Sequence, residues 1–420
     1  MKLLFAAVLA APLCAVPAQA QDVPPPGGEI LTLDEALAAA GVLAPATEAA
    51  EVGVWVAEAG RRVARLRPNP SVSVDTENAL GTGPYRGFAE SDTTIAFAMP
   101  VELGGKRSAR VAAADARSRR AEVDLAIAEA DLRFDVTRAY VAVIAAERRT
   151  AVAEAQLAVT AENLRIARDR VMVGANSPLD EQRAALEQLR AEGDADLARR
   201  SAAAARTALR LYAGDGALAP LDGAWFDRAT PTAYGPAAPV DARATLALAA
   251  AAADTEAAEA EVRLARSQRV PDLTLTAGTR RIEASNDQAM VFGVSLPLPL
   301  FSNGKAAVTL AARERDRSEA LERLALFEAE RAIAEAEADR DRAATLVRAS
   351  APSLAAAEEA ARIARLGYAE GKFDQIVLLD AERSLLDTRR AAIDARTSYH
   401  DAMARLDRLA APMPIEGKNP

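Results

Sequence analysis

Cysteine and histidine are nearly missing from this chain: there is one of each in 420 residues. A lone thiol closes no intrachain disulfide, and Cys14 with His400 cannot assemble a metal cluster. No G-x-S-x-G, H-E-x-x-H or P-loop run is present, so neither an enzyme activity nor a cofactor is expected. Basic charge is short as well. Lys and Arg total 51 against 60 Asp and Glu, a net charge of −9, which argues against a nucleic-acid partner. That balance suits a surface or duct that attracts cations. Aromatic residues make up only 4% of the chain, while half of it is apolar and mostly alanine. Alanine favours helix and lets helices approach closely, so long helices in coiled-coil contact are expected rather than a bulky core. His400, on the last predicted helix, is expected in solvent.

No internal stretch reaches the roughly eighteen apolar residues of a membrane helix. Residues 246–253 (LALAAAAA) come nearest and are too short. The N-terminus is different. Lys2 precedes an apolar stretch over residues 3–16, and Ala18-Gln19-Ala20 forms an A-x-A site. Residues 1–20 therefore read as a secretory leader, with the mature chain starting at Gln21. Cys14 lies inside that leader. Pro12 and Leu13 before it are a poor context for lipidation, so the mature chain is expected to hold no cysteine. An exported chain without a spanning helix is periplasmic, secreted or a β-barrel.

What is present is a pattern written twice. Arg67-Pro68-Asn69-Pro70 precedes the alternating run Ser71-Val72-Ser73-Val74, and Arg269-Val270-Pro271 precedes Leu273-Thr274-Leu275-Thr276; the two prolines are 201 residues apart. Second alternating runs end at Pro100 and Pro297, and Gly105-Lys106 and Gly304-Lys305 then open long helical stretches. Each copy reads as short helix, strand, loop, strand, long helix, tight turn and medium helix. The short helices are placed at 33–66 and 241–268, the long ones at 106–172 and 306–369, and the medium ones at 179–212 and 377–409. At about 1.5 Å per residue each long helix reaches on the order of 100 Å, more than a compact domain needs. In the last helix Leu378, Leu385, Ala392, Tyr399 and Leu406 recur every seven residues, with Ala381, Thr388, Ala395 and Ala402 three residues after the first four. That is an a/d seam with small residues at d. Leu125, Leu132, Val136, Tyr140 and Val143 form a looser stripe in the first long helix.

The strands carry an apolar and a polar face. Ile95, Phe97, Met99, Val101 and Leu103 alternate with Thr94, Ala96, Ala98 and Glu102. Strands of about ten residues suit a tilted transmembrane barrel, yet four are too few to close one. An open edge cannot sit in lipid, so a membrane location requires several chains to share a barrel. A soluble sheet covered by helices is the other reading. Gly81-Thr82-Gly83-Pro84-Tyr85-Arg86-Gly87 imitates a dinucleotide-binding loop, but its spacing is wrong and a strand follows it, so it reads as a loop between barrel strands.

This order of elements resembles the TolC-like outer-membrane efflux proteins over almost the whole mature chain. Leu31-Thr32-Leu33-Asp34-Glu35-Ala36 resembles their opening, and Leu296-Pro297-Leu298-Pro299-Leu300-Phe301 followed by Gly304 resembles their strand-to-helix junction. Their hairpin tip, G-x-x-S-x-L-D with alanine four residues on, is matched by Gly174, Ser177, Leu179, Asp180 and Ala184. The second tip has Gly371, Lys372, Ile376, Leu379, Asp380 and Ala381, with Asp374 where serine is usual and Val377 where the first aspartate is usual. Arg67-Pro68-Asn69-Pro70, Glu77-Asn78 and Pro100-Val101-Glu102-Leu103-Gly104-Gly105-Lys106-Arg107 look like the cobalt–zinc–cadmium (CzcC) branch.

The resemblance implies a mainly α fold with a membrane β-barrel, a homotrimer sharing twelve strands in outer-membrane lipid, and a coiled-coil helical tunnel in the periplasm. Its segments would be a first repeat at 21–212 with strand pair 70–103, an equatorial linker at 213–240, a second repeat at 241–410 with strand pair 271–300, and a tail at 411–420. It implies a periplasmic adaptor contacting the tips Gly174, Ser177, Leu179, Asp180, Gly371, Lys372 and Ile376, and an inner-membrane pump of the proton-driven RND class. The channel itself would be a passive conduit for heavy-metal cations. Aspartates past the second turn ring the family's periplasmic mouth; Asp380 matches one, and Asp374 is a second candidate. A conduit for drugs or polypeptides is the alternative within channels. A periplasmic adaptor is the alternative outside them, although an adaptor carries one hairpin rather than two.

Mass spectrometry of the protein purified from membranes should find Gln21 at the N-terminus. A lipidated Cys14 would overturn the reading of the leader.

Overall fold

A computed structural model describes residues 30–229 and 239–413. Cys14, the Ala20–Gln21 bond, residues 230–238 of the expected linker and residues 414–420 of the expected tail lie outside the described residues. The fold is mostly helical with one small antiparallel sheet.

Helix α1 spans Leu33–Leu43 and opens on a capping box. The Thr32 hydroxyl accepts from the Glu35 amide at 3.3 Å, and the Glu35 carboxylate accepts from the Thr32 amide at 2.8 Å. The single helix expected over 33–66 is two helices. Pro45 has no N–H and holds Ala44 extended (ψ 112°), so α2 starts afresh as Pro45–Ala64. Strands β1 (Ser71–Glu77) and β2 (Asp92–Val101) follow, then α3 (Lys106–Met172) and α4 (Pro178–Ala213). The short helix α5 (Gly223–Asp227) leads to α6 (Leu246–Ser267), later in its start than the expected 241. The Thr245 hydroxyl caps α6 by accepting from the Leu248 amide at 3.4 Å, and residues 242–244 form a separate turn. Strands β3 (Leu273–Ile282) and β4 (Asp287–Ser295), then α7 (Lys305–Ala369) and α8 (Gln375–Leu409), complete the chain.

The sheet runs β1-β2-β3-β4, every neighbour antiparallel. Its register stacks Val72 on Phe97, Phe97 on Ala277 and Ala277 on Phe292. One face therefore carries Val72, Val74, Ile95, Phe97, Met99, Leu275, Met290, Phe292 and Val294, all exposed. The other carries Ser73, Asp75, Thr94 and Ala96, and Arg280 there donates to the Thr94 hydroxyl at 2.9 Å and pairs with Glu77 at 3.3 Å. β1 and β4 are the two edges. Where the sheet meets the helices, the Arg110 guanidinium forks onto Glu102 at 2.7 and 3.2 Å and donates to the carbonyls of Ala64 and Leu66. That fork holds the Glu102 carboxyl below the usual carboxylate range. Lys106 pairs with Asp272 at 2.7 Å across the same junction.

Helices α3 and α4 form one long hairpin, α7 and α8 the other, and α8 also packs on α3. The seven-residue seam of α8 is where the sequence places it: Leu378, Leu385, Ala392, Tyr399 and Leu406 are all buried. Val136, Tyr140 and Val143 of the looser α3 stripe are buried too. The main core gathers around Tyr140, whose hydroxyl donates to the Leu31 carbonyl at 2.7 Å and accepts from the Asp222 amide at 2.9 Å.

His400 is not in solvent. It is 1% exposed, stacked 4.3 Å from Trp225, with Nε2 3.0 Å from the Phe226 carbonyl. A hydrogen bond to a carbonyl makes Nε2 the donor. The linker region folds α5 back over α8, and a five-residue helix carries no periodic signal that would have foretold this.

Burial pushes the His400 imidazole below its usual range. The folded chain thus prefers the neutral ring, and below about pH 6.5 the unfolded chain binds the extra proton. Stability is independent of this group above about pH 6.5 and falls as the pH drops below it. The unfolding midpoint should fall more between about pH 7.5 and about pH 5.5 in wild type than in His400→Phe, which keeps the stack and loses about 1 kcal/mol of hydrogen bonding. Equal falls in both proteins would exclude His400 as the responsible group.

Candidate functional site

The two long helices end in the same turn. At the first tip, Ala175 N–H bonds the Arg170 carbonyl at 2.9 Å and Gly174 N–H bonds the Val171 carbonyl at 3.0 Å. At the second, Lys372 N–H bonds the Gly367 carbonyl at 2.7 Å and Gly371 N–H bonds the Tyr368 carbonyl at 3.0 Å. Both are Schellman closures, and both need a left-handed residue after the cap. Gly174 (φ +75°) and Gly371 (φ +73°) supply it without the penalty that a side chain brings.

The returning helices start differently. The Ser177 hydroxyl caps α4 by accepting from the Leu179 amide at 3.2 Å, with Pro178 at the first helical position. Asp374 holds the equivalent cap of α8 through its backbone only, so its carboxylate stays exposed. Leu179 and Ile376, in the first turns of the two helices, are exposed apolar side chains at the tips. Asp180 is half-buried and accepts from the Asn176 amide side chain at 3.1 Å. Lys372 reaches Glu370 at 2.5 Å in an exposed pair.

The tips are tied to each other. The Arg170 guanidinium lies 4.5 Å from the centre of the Tyr368 ring and donates to the Tyr368 carbonyl at 2.7 Å. The Gln375 side chain donates to the Asp180 carbonyl at 3.0 Å. Burial raises the Tyr368 phenol above its usual range, and the Arg170 charge opposes that. Phe373 folds over Gly367, where an added Cβ would meet the ring at 2.2 Å. One turn further in, Glu382 is 2% exposed and forks onto Arg365. Sequence reasoning missed Arg170, Tyr368, Phe373, Gln375 and Glu382. The partners in the inter-tip contacts lie almost two hundred residues apart, and no local pattern signals such pairs.

Asp380 is exposed and lies in a shallow groove with Arg183, Leu186, Ile376 and Arg383. Arg383 pairs with Glu187 at 3.3 Å rather than with Asp380. Asp374 is the extended N-cap residue just before α8, and Asp380 lies in the second turn of that helix. Among the described residues no group of three His, Cys, Asp or Glu side chains can hold a metal ion.

Residues 36–215 and 243–411 match the sequence profile of a family described as outer membrane efflux protein. The chain belongs to that family. It is 30% identical to the cobalt-zinc-cadmium resistance protein CzcC of Cupriavidus metallidurans over 90% of both chains. It is 33% identical to the nickel and cobalt resistance protein CnrC of the same organism over 64% of both chains. Its fold is that of a membrane protein from Pseudomonas aeruginosa (TM-score 0.77, 22% identity, 90% of both chains). It is also that of CusC (TM-score 0.76, 18% identity, 92% of this chain and 93% of that one). VceC of Vibrio cholerae shares it as well (TM-score 0.74, 20% identity, 91% of this chain and 97% of that one). This efflux protein is therefore an outer-membrane channel of the CzcC-like branch, with its helical hairpins in the periplasm.

Arg170→Met removes both the ring contact and the hydrogen bond to Tyr368. Amide exchange at residues 170–180 and 367–378 should speed up by roughly tenfold, the equivalent of ~1.4 kcal/mol of local opening. The unfolding midpoint of the whole protein should barely move. Unchanged exchange at both tips would show that Arg170 does not tie them.

Proposed function

We propose that three copies of this chain form one passive duct for heavy-metal cations through the outer membrane. The observation that carries the reading is the unclosed sheet. It presents a continuous apolar face and two unpaired edges, β1 and β4. Hydrocarbon tolerates the face but not the edges, and twelve strands from three chains remove every edge. In this reading the halves 21–212 and 241–410 are structural repeats, joined by an equatorial linker at 213–240 and followed by a tail at 411–420. Six helical hairpins then make the tunnel.

Metal cations as cargo are supported by the names of the relatives CzcC and CnrC. The chemistry agrees with passage rather than storage. Scattered carboxylates attract divalent ions without the nitrogen and sulfur ligands that hold transition metals tightly. The tips around Gly174, Ser177, Leu179, Asp180, Gly371, Lys372 and Ile376 would dock a periplasmic adaptor, which links the duct to an inner-membrane RND pump. Exposed Leu179 and Ile376 supply apolar contact, and the left-handed glycines keep the turns narrow. Three copies of Asp380 near the threefold axis would form a negative gate. Asp374, on the turn just before α8, would be the second candidate for the same ring.

The purified protein should run as a trimer in mild detergent until heated; a monomer extracted from membranes would defeat the shared barrel. In a planar bilayer the trimer should prefer cations and be blocked by multivalent cations from the periplasmic side. Asp380→Ala should lose most of that block while assembling normally, and unchanged block would remove Asp380 from the gate.

A further inference from the structure

Away from the tips, a cleft of about 320 Å³ opens where α3, α5, α7 and α8 meet. Val152 and Ala155 of α3, Phe226 of α5, Leu354 of α7 and Ile393 of α8 give it apolar walls. Phe226 and Ile393 are buried members of the main core, so the floor is fixed from beneath. Small-molecule pockets share this character: a concave, mostly apolar space with a few placed polar groups.

Four charged side chains line the same cleft: Arg148, Arg389, Arg396 and Asp227. Three positive charges face one negative charge, in a chain whose acids outnumber its bases by 60 to 51. Their pairing is incomplete. Asp227 Oδ2 accepts from Arg148 at 2.5 Å. Asp227 Oδ1 stands 3.8 Å from Arg396 Nε, beyond hydrogen-bond reach. Arg389 turns to Glu358 of α7 at 3.1 Å.

Arg396 is left short of partners. Its side chain is only 24% exposed, and Nη1 donates to the Ala392 carbonyl at 3.2 Å. Its Nε is buried and makes no hydrogen bond among the described residues. A buried charged donor without a partner is costly, and an anion seated beside it removes that cost.

We infer that this cleft binds a small organic carboxylate with a compact apolar body. The carboxylate takes the Nε edge of Arg396, where a planar guanidinium offers two parallel donors. Arg148 and Arg389 add positive charge at the walls. The apolar body covers Val152, Phe226, Leu354 and Ile393. An inorganic anion would satisfy the guanidinium and leave that floor wet. A neutral apolar molecule would cover the floor and leave Arg396 unpaired. Both are therefore weaker ligands. Every lining residue belongs to one chain, so the site does not depend on the duct reading above.

Fluorine NMR of the full-length protein in lipid nanodiscs, with empty nanodiscs as the reference, tests the site. The probes are para-trifluoromethylbenzoate and its neutral counterpart para-trifluoromethylbenzyl alcohol, with inorganic phosphate as competitor. The benzoate should bind at least tenfold more tightly than the alcohol. Phosphate should displace it only at concentrations at least tenfold above the benzoate's own Kd. Arg396→Leu should weaken the benzoate at least tenfold and leave the alcohol unchanged. Ala155→Phe fills the cleft from an exposed position and removes no charge, so it should abolish binding of both probes. Equal binding of acid and alcohol, or ready displacement by phosphate, overturns the carboxylate class. A folded Arg396→Leu that binds the benzoate as wild type does overturns the role of the guanidinium. If Arg396→Leu does not fold, Ala155→Phe decides: unchanged benzoate binding in that variant removes the cleft as the site.

Discussion

A backbone amide or carbonyl facing hydrocarbon without a partner costs several kcal/mol. The sheet of this protein has apolar residues on one face and unpaired backbone along β1 and β4. Everything else in the chain can be arranged around that imbalance. In the trimer proposed above, closure of the sheet falls to neighbouring copies. The junction at Glu102, Arg110, Lys106 and Asp272 couples the two levels, since one guanidinium fork holds the end of β2 and the end of α2 together.

Length is the second consequence. α3 and α7 run for 67 and 65 residues with few bulky side chains to bury. Alanine seams and interhelical arginine–carboxylate pairs hold them, and exposed pairs of that kind contribute little singly. The largest cluster of hydrophobic groups sits at one level, where Tyr140, Trp225, Phe226 and His400 pack α1, α5 and α8 onto α3. The largest buried cluster lies at this waist, and a smaller one around Tyr368 and Leu378 lies near the tips. There a cation–π contact, the hydrogen bonds of Arg170 and Gln375, the Arg383–Glu187 pair and the packing of Ile166 on Tyr368 and Leu378 join the hairpins.

Much of this was legible in the residues. Alternation around Ile95, Phe97 and Met99 predicts the exposed apolar face, because a strand turns successive side chains to opposite sides. The heptads of α8 predict its buried seam for the analogous helical reason. Glycines 105, 174, 304 and 371 mark the ends of the long helices, since only a residue at ease with positive φ sits there without strain. The one helical boundary missed near the start belongs to Pro45, whose effect on the preceding residue was overlooked.

The sequence by itself determined the elements, their faces and the two hairpin turns, because each depends on neighbours within a few positions. Only the tertiary structure decided what those elements meet. Arg170 finds Tyr368 across the tips, α5 covers His400, and α6 lies against both α3 and α7. Such contacts join residues tens to hundreds of positions apart. They depend on how two helices pack rather than on any period within one, so no local pattern announces them.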